Sequence, residues 1–308
     1  MNFGASNDEK ECHEILDYYT SNGGNFIDTA NIYSLGNAAG SFHERGHSEQ
    51  IIGSWLKKKR RESVILATKV KADMGDGHSG LSRRSIFFQI DQSLKRLGTD
   101  YIDLYQTHGF DPNVPLGETL EAMDELQKSG KIRYYGCCNF DSSQIADSCL
   151  ASKKSGISGF VSYQNAYNLI VKERLKNFKG RKYILSAAEC QKYGIGLITY
   201  NALANGFLAG RFRKDVNGEP SSRGGDEVIR KNCYNNEGWK LLGILDELAG
   251  KYNTSVGAIV LSWYRNCDFI STVLVGPRTS SQIRDLLQSP DIALSREEFS
   301  QIDVNCNF

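Results

Sequence analysis

The sequence predicts an α/β fold of the (β/α)8 TIM-barrel type, and three observations lead there. Short apolar runs alternate with amphipathic helical stretches, the connections between them are short, and most of the runs end in a polar residue that an apolar core would not choose. Repeated strand-then-helix units imply parallel strands joined by right-handed crossovers. That pattern fits either an open doubly wound sheet or a closed barrel, and the polar strand ends favour the barrel. In a barrel they converge on one mouth, where such proteins keep their chemistry. In an open sheet they would spread along an edge.

Seven strands are predicted, at 25–29, 64–70, 101–108, 132–139, 160–164, 196–200 and 270–276. Their polar ends are Asp28, Lys69, His108, Asn139, Gln164 and Tyr200, with Gly276 and Arg278 at and beyond the last. Lys69 closes the run Val64-Ile65-Leu66-Ala67-Thr68. A buried lysine without a counter-charge is costly, so Asp28 is its expected partner. Helical spacing of Ile86, Ile90, Leu94 and Leu97 predicts a helix over 82–97 with Ser82 as its N-cap. Leu120, Met123 and Leu126 after Pro115 predict another, and Leu241, Ile244, Leu245 and Leu248 a third, while Ser48 and Ser142 are read as opening two more. Only five prolines are present and no linker or low-complexity tract interrupts the pattern, so a single domain is expected over 1–308.

Composition narrows the class. Of 308 residues, 40% are hydrophobic and 24% charged, enough for a sizeable core. Basic and acidic residues number 37 and 36, a balance that argues against a surface built to bind nucleic acid. The first ten residues lack the apolar core of a secretory signal, and no apolar run approaches the ~20 residues that span a bilayer. The eight cysteines show no Cys-x-x-Cys pair and are read as reduced thiols. A cytoplasmic protein without a metal site is expected.

Two motifs point elsewhere. His43-Glu44-Arg45-Gly46-His47 spells a zinc-protease pattern, but it contains a glycine, follows a polar glycine-rich stretch and has no evident third ligand, so it reads as loop. Gly75-Asp76-Gly77-His78-Ser79-Gly80 spells a dinucleotide fingerprint. Its glycines begin five residues beyond Val70, and Asp73 and Asp76 would repel a pyrophosphate. It too reads as a solvated loop.

Longer ordered motifs resemble the aldo-keto reductase family. They are Gly23-Gly24-Asn25-Phe26-Ile27-Asp28-Thr29-Ala30-Asn31-Ile32-Tyr33, Ser48-Glu49 with Gly53, Ala67-Thr68-Lys69, and Leu97-Gly98-Thr99-Asp100-Tyr101-Ile102-Asp103-Leu104 leading to His108. Gly130-Lys131-Ile132-Arg133, Asn139-Phe140 and Leu203-Ala204-Asn205-Gly206-Phe207-Leu208-Ala209-Gly210 continue the likeness. The branch it is similar to includes aryl-alcohol dehydrogenases and potassium-channel β-subunits.

The resemblance implies an NADPH-dependent oxidoreductase acting on a small carbonyl or alcohol. Asp28, Tyr33, Lys69 and His108 match the family's catalytic residues: Tyr33 as general acid, Lys69 and Asp28 as its tuning pair, His108 as orienter of the substrate oxygen. A lysine beside a tyrosine is expected to lower a phenol pKa of about 10. For the cofactor, the family pattern implies Asn139 and Gln164 at the carboxamide, with Cys138 beside them, and Tyr200 stacked on the nicotinamide ring. Asn201, Leu203, Asn205, Gly206 and Arg211 would lie along the pyrophosphate, and Gly276, Arg278, Gln282 and Asp285 at the adenosine end. Arg278, with Arg223, suits a 2′-phosphate and favours NADP over NAD.

Departures from the family pattern bear on these roles. Cys138 replaces a serine, Leu286 an asparagine, and Asn201-Ala202 a Ser-Pro pair, each predicting weaker cofactor contacts. The match begins at the end of the family's first strand, so a barrel incomplete at its N-terminus is expected. A cofactor-binding regulatory subunit and an inactive truncated form are the alternative readings.

Overall fold

The computed structural model describes residues 2–34, 45–170, 187–212 and 233–305. Seven strands are present among them and run in chain order: β1 Phe26–Asp28, β2 Ile65–Val70, β3 Ile102–Thr107, β4 Ile132–Cys138, β5 Ser162–Ala166, β6 Gly196–Tyr200 and β7 Ile270–Val273. Each coincides with a predicted run. The pairings of β1 with β2, β2 with β3, β3 with β4, β4 with β5, and β6 with β7 are all parallel. Parallel strands in chain order, with helices between them, are the succession of the (β/α)8 class. No helix among the described residues is long and apolar enough to cross a membrane.

The chain forms two compact units. The first comprises 1–164, 188–196 and 276–280, and the second 165–187, 197–275 and 281–308. In the first unit β2 is buried on both faces after Ile65, as a parallel strand covered by helices must be. Helices α1 (Glu9–Ser21), α2 (His47–Leu56), α3 (Arg83–Leu97), α4 (Leu116–Lys128) and α5 (Ser142–Ser155) supply the cover. On α3, Ile86, Ile90 and Leu97 are buried at the predicted spacing, the Ser82 side chain accepts from the Ser85 amide, and Gly98 ends the helix in the left-handed region at φ 62°. On α4, Leu120, Met123 and Leu126 are buried.

Two helix starts differ from the reading of the sequence. α5 is capped by Asp141, one residue before Ser142, in a reciprocal capping box with Gln144. α2 begins at His47 after Gly46 at φ 83°, and Ser48 lies inside it. Its hydroxyl is turned inward to Thr29, at 2.9 Å, so it is not available as a cap. Before α1, residues 2–7 form a tight turn rather than a barrel strand, with a single bridge between Phe3 and Asn7. The buried Asn2 and Asn7 amides donate to the carbonyls of Gly276 (2.7 Å) and Arg278 (2.6 Å).

In the second unit, helices α7 (Asn236–Lys251) and α8 (Val256–Tyr264) enclose a core of Phe207, Leu208, Leu241, Leu245, Ile259 and Trp263. Asn235 caps α7 and Ser255 caps α8. The short helix α6 (Ala187–Tyr193), which from residue 188 belongs to the first unit, precedes β6 in the chain, and α9 (Ser280–Leu286) and α10 (Arg296–Val304) follow β7.

Gly53 shows how closely α2 packs against α3. A Cβ there would stand 2.3 Å from the Arg96 carbonyl oxygen, a backbone atom that cannot step aside without moving the helix. Gly53→Ala is therefore expected to destabilise the first unit by about 1–3 kcal/mol, the usual cost of overpacking. A urea or thermal melt in which the variant matches the parent would contradict this packing.

Candidate active site

The site is built outward from Lys69, which sits on β2 and is wholly excluded from solvent. Its ammonium donates to Asp28 Oδ2 at 2.5 Å, to the Thr29 carbonyl at 2.8 Å and to the Tyr33 hydroxyl at 3.2 Å. An ammonium has three donors and all three are used. Burial by itself disfavours the charge, but the Asp28 carboxylate outweighs it and holds the lysine pKa above its ordinary value.

The other side of Asp28 is equally occupied. Its Oδ1 accepts from Gln164 Nε2 at 2.9 Å and from Gln106 Nε2 at 3.3 Å. Gln106 Oε1 in turn accepts from Gln164 Nε2 (3.4 Å) and from the Cys138 thiol (3.7 Å). Gln106 was not singled out in the sequence, although a signal was there. It stands two residues before His108 and pairs in register with Lys69, so strand alternation puts it on the Lys69 face.

Tyr33 reaches Lys69 because the chain turns back after β1. The Asn31 amide donates to the Lys69 carbonyl (3.2 Å), and the Tyr33 amide to Ala30 (3.1 Å). The Lys69 ammonium lies 4.8 Å from the Tyr33 ring centre, and the His108 ring meets the same ring edge-on at 5.6 Å. Burial raises the Tyr33 phenol pKa and Lys69 opposes the rise without cancelling it, so the net direction is upward. This differs from the lowering expected of a lysine neighbour. Desolvation of the phenolate is the larger effect here.

Behind the two strands, α2 holds the residues next to the pair. Ser48 bonds Thr29 at 2.9 Å, and the buried Glu49 accepts from Thr68 Oγ1 at 2.6 Å. Glu49 is balanced by Arg96 Nε, also at 2.6 Å. The Ser48-Glu49 motif thus grips the residue after Asp28 and the residue before Lys69.

The other predicted residues fall into separate groups. His108 follows β3, its amide donating to Val70 (2.8 Å) and its carbonyl accepting from Asn139 Nδ2 (3.0 Å). Asn139 adopts φ 58° beyond β4 and donates its amide to the Gln164 carbonyl. Cys138, Asn139 and Gln164 therefore do join the Lys69 cluster. Gly276 and Arg278 are held through their carbonyls by Asn2 and Asn7. In the second unit, Tyr200 ends β6 and leads into a turn where Asn201, Ala204, Asn205 and Gly206 all have positive φ. Asn201 Oδ1 accepts the Asn205 amide at 3.0 Å, Leu203 is half-buried, and the Arg211 side chain lies 3.2 Å from where a Gly206 Cβ would stand. Gln282 and Asp285 are on α9. Arg223 lies outside the described residues.

Of the two misleading motifs, His43 and Glu44 lie outside the described residues, and no group of His, Cys, Asp and Glu side chains among those described is placed to hold a metal. In the glycine loop the acidic side chains turn onto the loop's own backbone. Asp73 accepts the Gly75 amide at 2.8 Å and Asp76 the His78 amide at 3.0 Å, occupying donors that a phosphate would need.

The pattern of the aldo/keto reductase family matches residues 1–305 of this chain. The chain belongs to the aldo/keto reductase family. It is similar to the uncharacterized oxidoreductase YrpG of Bacillus subtilis (strain 168), at 35% identity over 305 residues, covering 96% of this chain and 87% of that protein. The aldo-keto reductase AFTS1 of Alternaria alternata is 30% identical over 318 residues, covering 94% and 80%. The provisionally named aryl-alcohol dehydrogenase C977.14c of Schizosaccharomyces pombe is 30% identical over 323 residues, covering 96% and 85%.

The buried ion pair of this aldo/keto reductase makes a testable demand. Because the Lys69 pKa is raised, its contribution to stability is complete below about pH 10 and is lost as pH rises through the folded value. Asp28→Asn at neutral pH leaves the buried ammonium without a counter-charge, at an expected cost of about 3–5 kcal/mol. Urea unfolding checks this, and Lys69→Met added to Asp28→Asn is expected to recover part of the loss.

Proposed function

We propose that this aldo/keto reductase is an NADPH-dependent oxidoreductase that reduces an aldehyde or ketone to an alcohol, with Tyr33 as general acid. The observation that carries this reading is the Lys69 ammonium shared among Asp28, the Thr29 carbonyl and the Tyr33 hydroxyl. Reduction of a carbonyl leaves an alkoxide that must receive a proton. Tyr33, with its pKa raised by burial, keeps that proton at neutral pH. When the proton leaves, Lys69 at 3.2 Å stabilises the resulting phenolate. Asp28 keeps Lys69 in place, and Gln106 and Gln164 keep Asp28 in place. His108, edge-on to Tyr33, orients the substrate oxygen toward the phenol.

The nicotinamide cofactor supplies the hydride when bound. Each unit by itself carries residues of the kind such a group needs. Gln164 spends its Nε2 on Asp28 and Gln106, which leaves Oε1 to accept from a carboxamide. Asn139 is the other candidate at the carboxamide, and Tyr200 the candidate for stacking. In the turn after Tyr200 the amides of Ala204, Asn205 and Gly206 already donate to Asn201 and Leu203, so the side chains of Asn201, Asn205 and the adjacent Arg211 are the groups assigned to the pyrophosphate. Gly276, Arg278, Gln282 and Asp285 are assigned to the adenosine end, and Arg278 with Arg223 favours NADP. Cys138 makes a weaker partner than serine, because its thiol is a poor donor and already faces Gln106. A cytoplasmic location is part of the same proposal.

Tyr33→Phe is expected to lower the rate of aldehyde reduction by about 10²–10⁴ while cofactor fluorescence is still quenched on binding. Cofactor binding with no turnover of any aldehyde or ketone by the parent protein would reject the enzyme and favour the regulatory subunit. The pH profile is a further test. A general acid must be protonated, so reduction should fall on the alkaline side, and the raised Tyr33 pKa places that fall above the ordinary tyrosine range of about pH 10.

A further inference from the structure

Beyond the four residues assigned to catalysis, the same end of the sheet carries a cation that the proposed reaction does not use. Lys71 follows β2 by one residue and adopts φ 142°, a backbone conformation that side-chain-bearing residues rarely take. Its carbonyl is tied down by the Gly80 amide at 2.8 Å. Its ammonium lies 3.7 Å from the position a Cβ would occupy on Gly109, the residue after His108. Lys71 is half-buried, and among the described residues its side chain has neither a hydrogen bond nor an ion pair. The carboxylate of Asp111, two residues beyond Gly109, accepts from the Leu81 amide (2.9 Å) and the Asn113 amide (3.1 Å) and forms no ion pair with Lys71.

We propose that Lys71 is a specificity residue that selects carbonyl substrates carrying a carboxylate. The inference rests on the reductase reading above and names the substrate class for that site. A half-buried ammonium that pairs with no described residue gains most from an anion brought to it, because none of those residues compensates its charge. A Cβ at Gly109 would meet the Lys71 ammonium at ordinary van der Waals distance, so the ammonium lies directly beside the residue that follows His108. His108 orients the reacting oxygen, and Lys71 stands beside the next residue. A substrate whose carbonyl meets Tyr33 and His108 can therefore extend its far end toward Lys71. A neutral substrate of the same shape makes no use of the charge, and the difference between the two is the specificity.

The test compares 4-carboxybenzaldehyde with 4-formylbenzamide, which are close in size and differ in charge, in NADPH-dependent reduction by the parent protein, Lys71→Met and Lys71→Arg. The parent is expected to favour the carboxylate in kcat/KM by on the order of tenfold, chiefly through KM, with the preference shrinking as salt is raised. Lys71→Met should bring the ratio close to one, and Lys71→Arg should retain most of the preference. Turnover of both aldehydes with a ratio that Lys71→Met leaves unchanged overturns the inference alone. Failure of the parent to reduce either aldehyde overturns the reductase reading and this inference with it.

Discussion

A positive charge removed from water governs the arrangement of the first unit. Lys69 is fully buried, and every one of its protons has an acceptor within the fold. An ammonium placed there without Asp28 would lose several kcal/mol relative to water. With Asp28 it keeps its charge, and Asp28 must then be held so that one oxygen faces the lysine. Gln106 and Gln164 take the other oxygen, and Cys138 takes Gln106. Side chains from five consecutive strands, β1 to β5, are thus committed to a single charge.

The outer layer of the unit serves the same end. Ser48 and Glu49 reach from α2 to Thr29 and Thr68, which flank Asp28 and Lys69, and Arg96 on α3 neutralises Glu49. Gly53, one helical turn beyond Glu49, lets α2 approach the end of α3 closely enough for that contact. Packing and electrostatics are coupled here. A helix displaced by an ångström would break hydrogen bonds to both strands that carry the ion pair.

Much of this could be read in the chain. The seven apolar runs and their polar ends anticipated every strand, because a parallel strand covered on both sides has few ways to hide a lysine or an aspartate. Asp28, Lys69 and His108 stood out on those grounds and on family likeness, and Tyr33 on family likeness alone. Gln106 escaped notice because its only sequence signal, a place two residues before His108, does not tell its level on the sheet. Its importance lies in being level with Lys69 on the neighbouring strand, a fact of register. Ser48 was misjudged as a cap because serine before a helical run is usually one, whereas Thr29 competes for its hydroxyl.

By itself the sequence determined the order and kind of the elements, the family, and which side chains would stand at the strand ends. These follow from periodicities of two and 3.6 residues and from the rarity of charged groups in apolar runs, both of which are local. Only the tertiary structure decided how those side chains share their hydrogen bonds and which way the phenol pKa moves. It also placed the Lys71 ammonium beside Gly109 without an ion pair to any described residue. Such outcomes depend on distances between residues far apart in the chain and on how much water the fold excludes around them, and neither quantity is encoded in any one segment.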